Sequence, residues 1–150
     1  MLHRYTERAR RVIFQARVEV GRCGSTSLEP EHLLLGLLHV GDGLACRVLA
    51  YTVDSVEQLR REVAGRLPSG DPKPGNEEIP FSPSVTNVLR AAEQEADTQM
   101  QEAIGTEHLL LGLLRDGRSH VAQLLHAKGV SLEAVRQVVK ASRANSDTPG

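Results

Sequence analysis

The chain has 150 residues, a formal net charge of −1, 40% hydrophobic and 25% charged residues, and aromatics at only 3% with no Trp. Near-neutral charge gives no reason to expect a polyanionic partner, and so few aromatics argue against a stacking platform for single-stranded nucleic acid. The core must be aliphatic, which suits helices.

Thr6 opens the first predicted helix as N-cap; Val12, Ile13, Ala16 and Val20 recur with helical period, and Gly21 and Gly24 end it. Arg4, Arg8, Arg10, Arg11, Arg17 and Arg22 crowd this segment, so residues 1–66 carry ten Arg against eight acids. A solvated helix face accounts for them; a face that docks an anion or a partner is the alternative. Pro30 fits the first turn of a second helix, where its missing N–H costs nothing. That helix runs to about His39 and stops at Gly41-Asp42-Gly43. A third covers Leu44 to Tyr51, and Ser55 caps a fourth with Val56, Leu59 and Val63 on one face.

Residues 67–80 are polar and rich in Pro and Gly, the composition of a linker. The cycle restarts at Ser82, with helices expected at about 83–98, 106–115, 119–128 and 131–143, and a flexible tail over 144–150. No segment reads as a strand. Cys23 and Cys46 have neither metal-ligand nor redox spacing. No apolar run approaches the length of a membrane span and the N-terminus lacks a signal-peptide core, so a reduced, cytoplasmic protein is expected.

The string Glu-His-Leu-Leu-Leu-Gly-Leu-Leu occurs at 31–38 and again at 107–114, an offset of 107 − 31 = 76 residues. The same offset carries Tyr5 to Phe81, Thr6 to Ser82, Val12 to Val88, Glu19 to Glu95, Gly41 to Gly117 and Arg60 to Arg136. The chain is therefore two copies of one unit, at 1–66 and 81–143. The expected fold is all-α, two pseudo-symmetric four-helix repeats packed into one domain, because neither repeat alone buries its apolar faces well.

No GxxxxGK[ST] phosphate loop, HExxH or GxSxG elbow is present. His32 and His108 each follow a Glu at a helix start, where a structural role is the simpler expectation. No catalytic constellation, metal site or cofactor is expected, and the chain reads as a binding module. What remains is a pair of features in each repeat. A hydroxyl residue, Thr6 or Ser82, begins one helix; a Glu, Glu31 or Glu107, begins the next. The first offers a hydroxyl at the positive end of a helix dipole, suited to phosphate. The second offers a carboxylate that can grip a guanidinium by two parallel hydrogen bonds. Ordinary helix capping explains the same residues.

Tyr-Thr-Glu-Arg-Ala-Arg-Arg-Val at 5–12, the doubled Glu-His-Leu-Leu-Leu-Gly-Leu-Leu, Ile-Pro-Phe-Ser-Pro at 79–83 and Ile-Gly-Thr-Glu-His at 104–108 resemble the N-terminal repeat domain of the Clp ATPases, ClpC and ClpA type. The resemblance implies recognition of substrates and adaptors for an unfolding ATPase that feeds a protease, and in the ClpC branch of proteins phosphorylated on arginine. It places the ligand-binding residues at Glu31 and Thr6 in the first repeat, and at Glu107, Thr106 and Ser82 in the second. The first repeat departs from the pattern. It has Leu28-Glu29-Pro30-Glu31 where the family favours Ile-Gly-Thr-Glu, adding a carboxylate that disfavours phosphate. Val53 also stands where the second repeat has Gly129, so that turn must differ. The second repeat is thus the expected tag reader. The alternative is a regulatory or decoy module that docks on a Clp ATPase or adaptor without reading a tag. A DNA-binding use of the Arg-rich helix would require salt-steep DNA affinity.

Overall fold

Leu2–Arg4 form a short 3-10 turn, after which the described chain is built from α1 (Glu7–Cys23), α2 (Pro30–Val40), α3 (Leu44–Thr52), α4 (Val56–Ala64), α5 (Pro83–Thr98), α6 (Thr106–Arg115), α7 (His120–Ala127) and α8 (Leu132–Asn145). The structure, a computed structural model, describes residues 2–67, 70–72 and 79–145, without the side chains of 143–145. Most of the expected linker and the last five residues of the expected tail lie outside the described residues.

Local chemistry sets the helix ends. Thr6, Ser55, Ser82 and Ser119 accept hydrogen bonds from the N–H three residues on, as N-caps do. Pro30 and Pro83 occupy first-turn positions. Gly21 does not end α1. It is a buried helical residue, and the helix stops at Gly24, whose φ of 65° is the left-handed conformation that a C-terminal cap requires. The turn after α3 differs from its counterpart as expected: Val53 is extended at φ −88°, whereas Gly129 sits at φ 89°.

The two Leu-rich helices lie at the centre. Leu33, Leu34 and Leu37 of α2 and Leu109, Leu110, Leu111 and Leu113 of α6 are at most 1% exposed. Burying each such side chain contributes about 2 kcal/mol. Within each repeat α1 packs on α2 and α5 on α6; between repeats α3 and α1 meet α6, and α5 meets α2. Gly36 sets the first close approach, since a Cβ there would lie 2.5 Å from the Val12 carbonyl oxygen; Gly112 does the same 2.4 Å from that of Val88. The positions match under the 76-residue offset, so one packing device is used twice.

Candidate binding site at the junctions between the repeats

Two isolated parallel bridges join the repeats, Tyr5 with Ile104 and Leu28 with Phe81. The offset exchanges them: 5 + 76 = 81 and 28 + 76 = 104. In the first, Thr6 N–H donates to the Ile104 carbonyl at 2.9 Å and Ile104 N–H donates to the Arg4 carbonyl at 2.8 Å. In the second, Ser82 N–H donates to the Leu28 carbonyl and Leu28 N–H to the Pro80 carbonyl, both at 2.9 Å. Each bridge thus ties the hydroxyl cap of one repeat to the segment leading into the glutamate of the other.

This rearranges the grouping expected from the sequence, which placed Thr6 with Glu31 and Ser82 with Glu107. Within a repeat the hydroxyl and the glutamate are separated by the length of the first helix, about 25 Å for 17 residues. α2 returns antiparallel from the far end. Across the repeats, Thr6 adjoins the start of α6, where Glu107 sits, and Ser82 adjoins the start of α2, where Glu31 sits.

The two junctions are not equally open. Glu31 is partly exposed, but Glu107 is 1% exposed and Thr106 is fully buried. The Thr106 hydroxyl accepts from Ala45 N–H at 3.4 Å, so it serves the first turn of α3 in the other repeat. Gly43 is hemmed by the Thr106 hydroxyl and the Arg8 side chain, each 2.8 Å from where a Cβ would stand. Of the hydroxyl caps, Thr6 is partly exposed and Ser82 is 5% exposed. Next to Glu31, the Glu29 carboxylate accepts from the Ser27 hydroxyl at 2.7 Å.

The paired histidines serve the backbone. His32 Nδ1 accepts from Glu29 N–H at 2.9 Å and His108 Nδ1 from Gly105 N–H at 3.0 Å, each closing the first turn of its helix. The Arg-rich first segment divides its contacts: Arg4 and Arg17 reach beyond the first repeat, while Arg8, Arg10 and Arg22 bond within it. Arg4 donates to Asp97 at 2.8 Å and to the Glu102 carbonyl at 3.0 Å. Arg17 donates to the Ile79 carbonyl at 2.8 Å and stacks on Phe81, 4.8 Å from the ring centre. Arg8 pairs with Asp42 at 3.1 Å.

Sequence reasoning missed one centre. Glu95, 5% exposed, is gripped by Arg136 through two hydrogen bonds of 3.1 and 2.7 Å, with Arg115 at 3.5 Å. The carboxylate holds the Arg136 guanidinium above its ordinary pKa, first through the hydrogen bond. The offset maps this pair onto Glu19 and Arg60, but Arg60 turns to Glu57 instead. Glu95 sits among apolar positions of α5, a buried acid that the helical pattern alone could have flagged.

The chain is 34% identical over 148 residues to the negative regulator of genetic competence ClpC/MecB of Bacillus subtilis, covering 99% of this chain and 18% of that protein. It is 35% identical over 139 residues to the chaperone protein ClpB of Oceanobacillus iheyensis, covering 93% of this chain and 17% of that protein. It therefore spans less than a fifth of these relatives. Among solved structures, the N-terminal domain of ClpD from Arabidopsis thaliana superposes with a TM-score of 0.71 at 24% identity, over 97% of both chains. The family model described as the Clp repeat (R) N-terminal domain matches residues 4–128 and 81–145. Doubled motif, cross-joined repeats and these matches agree: the chain belongs to the Clp repeat N-terminal domain family.

Proposed function

We propose that the protein is a non-catalytic recognition module of a Clp chaperone–protease system, binding protein segments that carry phosphorylated arginine. The observation that carries this reading is the cross-repeat junction. It sets a helix N-terminus with a hydroxyl cap beside a helix that begins with glutamate, the two halves that a joined phosphate and guanidinium require. The junction of Ser82 with Glu31 is the working site, because Glu31 is within reach of a guanidinium from solvent. The junction of Thr6 with Glu107 has the same chemistry in a closed form; a ligand enters it only if the first turn of α6 moves away from Ala45. With one working site, the avidity available to a multiply tagged substrate is lost. Substrates and adaptors of a Clp ATPase are the partners, in the cytoplasm.

A second reading, docking on a Clp ATPase or adaptor without a tag, is favoured by Phe14 of α1, 66% exposed, beside the exposed Arg10 and Arg11. Calorimetric titration of phosphoarginine, with arginine and phosphoserine as controls, separates the two. Heat with phosphoarginine alone is the expected result. No heat with any of the three overturns tag reading and leaves docking.

A further inference from the structure

The loop from α1 to α2 forms a pocket of about 380 Å³ lined by Gly24, Ser25, Thr26, Ser27, Glu29 and His32. His32 is fully buried, and its Nδ1 accepts the Glu29 N–H, so in the neutral ring the proton is on Nε2. That Nε2–H has no hydrogen-bond partner, and neither has the buried hydroxyl oxygen of Ser25. A buried N–H left unmade is costly, so this imidazole calls for an acceptor.

The second repeat shows one group that meets the same need. His108 makes the same bond through Nδ1, and its Nε2 donates to Gln99 Oε1 at 2.9 Å. Gln99 follows the last residue of α5 and maps by the offset onto Cys23, the last residue of α1: 99 − 76 = 23. The backbones correspond, since the next residues, Gly24 and Met100, are both left-handed at φ 65° and 58°. The second repeat therefore fills its imidazole N–H with its own carboxamide. In the first repeat Cys23 stands at the position of Gln99 and no carboxamide reaches the His32 N–H, while Gly70 and Asp71 pack against Gly24 at the pocket's edge.

We infer that this pocket recognises the carboxamide side chain of Gln or Asn on a protein ligand, which supplies in trans what Gln99 supplies within the chain. The pocket wall holds buried donors at His32 Nε2 and Ser25 Oγ and an acceptor at the Glu29 carboxylate, so a ligand engages the donors as the wall gives way. A carboxamide carries both an acceptor and a donor on one carbon. A carboxylate or phosphate would meet the charge of Glu29, and an ammonium or guanidinium has no acceptor for the imidazole N–H. A trans peptide group points its C=O and N–H in opposite directions and cannot reach both walls.

The test is a titration of acetyl-Gly-Gln-Gly N-methylamide, whose only primary carboxamide is the Gln side chain, into ¹⁵N-labelled protein, following the His32 Nε2–H and the amides of Ser25 and Thr26. The expected result is saturable shifts from this peptide, and at least tenfold weaker ones from the Gly-norleucine-Gly and Gly-Glu-Gly analogues. In Cys23→Gln the response disappears while the rest of the spectrum is retained, because the pocket is plugged from within. Equal shifts from the norleucine peptide, no shift at His32 in the wild type, or an undiminished response in folded Cys23→Gln would each overturn the inference. Because no phosphoarginine is used, the outcome is independent of the tag-reading proposal.

Discussion

The starts of α2 and α6 share the string Glu-His-Leu-Leu-Leu-Gly-Leu-Leu yet present different surfaces. In α6 the glutamate is 1% exposed and its neighbour Thr106 caps a helix of the other repeat. In α2 Pro30 stands in place of that threonine, Glu31 is partly exposed and the imidazole after it lacks an outer partner. The repeat that best matches the family pattern is the closed one, and the divergent repeat is open. A motif specifies which chemistry is encoded; packing by the other repeat decides whether a ligand reaches it.

Substitutions at equivalent positions sharpen or break that contrast. Where the repeats are alike the effects should match: Gly36→Ala and Gly112→Ala each drive a methyl into a backbone carbonyl. Each should cost about 2–3 kcal/mol in denaturant unfolding. Unequal losses would mean that the two helix pairs are not packed by one device. The acids should differ. Glu95→Ala leaves Arg136 and Arg115 unmatched beside a buried site and should cost about 1–2 kcal/mol, the half-exposure of Arg136 lowering the penalty. Glu19→Ala removes only a bond from Gln15 and a 3.5 Å contact with Arg22, and should cost about 0.5 kcal/mol or less. Gln99→Ala removes the carboxamide bonded to His108 Nε2 and should cost about 1 kcal/mol, whereas Cys23→Gln should stabilise. Met100→Gly relieves a left-handed Met and should stabilise by about 0.5–1 kcal/mol.

The pH dependence is the smallest effect. Burial lowers the His32 pKa below its ordinary value of 6.5. A depressed histidine pKa means that the unfolded chain takes up the proton first as pH falls. The contribution of His32 to stability is therefore fully present above about 6.5 and is lost as pH drops through its folded value. Thermal unfolding of the wild type and Cys23→Gln between neutral and mildly acidic pH should show this loss in both. A stability that rises on acidification would contradict it.

The fold was legible because its signals are local. Caps at Thr6, Ser55 and Ser82, first-turn prolines and the Leu periodicity each report on one turn of helix, and the 76-residue offset made the second repeat a check on the first. Gly21 misled because a glycine reads as a stop signal when its burial is unknown. The site was legible in residue type but not in partnership. Nothing within either repeat says that Thr6 meets Ile104 rather than the segment before Glu31; that follows from the parallel bridges between repeats. The Glu95 centre depends on Arg136 arriving from α8, a contact that no local pattern encodes.

The central claim is that each hydroxyl cap works with the glutamate of the other repeat. The most direct measurement is a pair of double-mutant cycles on phosphoarginine affinity, Glu31→Ala with Ser82→Ala and Glu31→Ala with Thr6→Ala. The account predicts a coupling above about 0.5 kcal/mol in the first cycle and simple additivity in the second. Coupling of Glu31 to Thr6 with none to Ser82 would contradict it, as would wild-type affinity that survives Glu31→Ala unchanged.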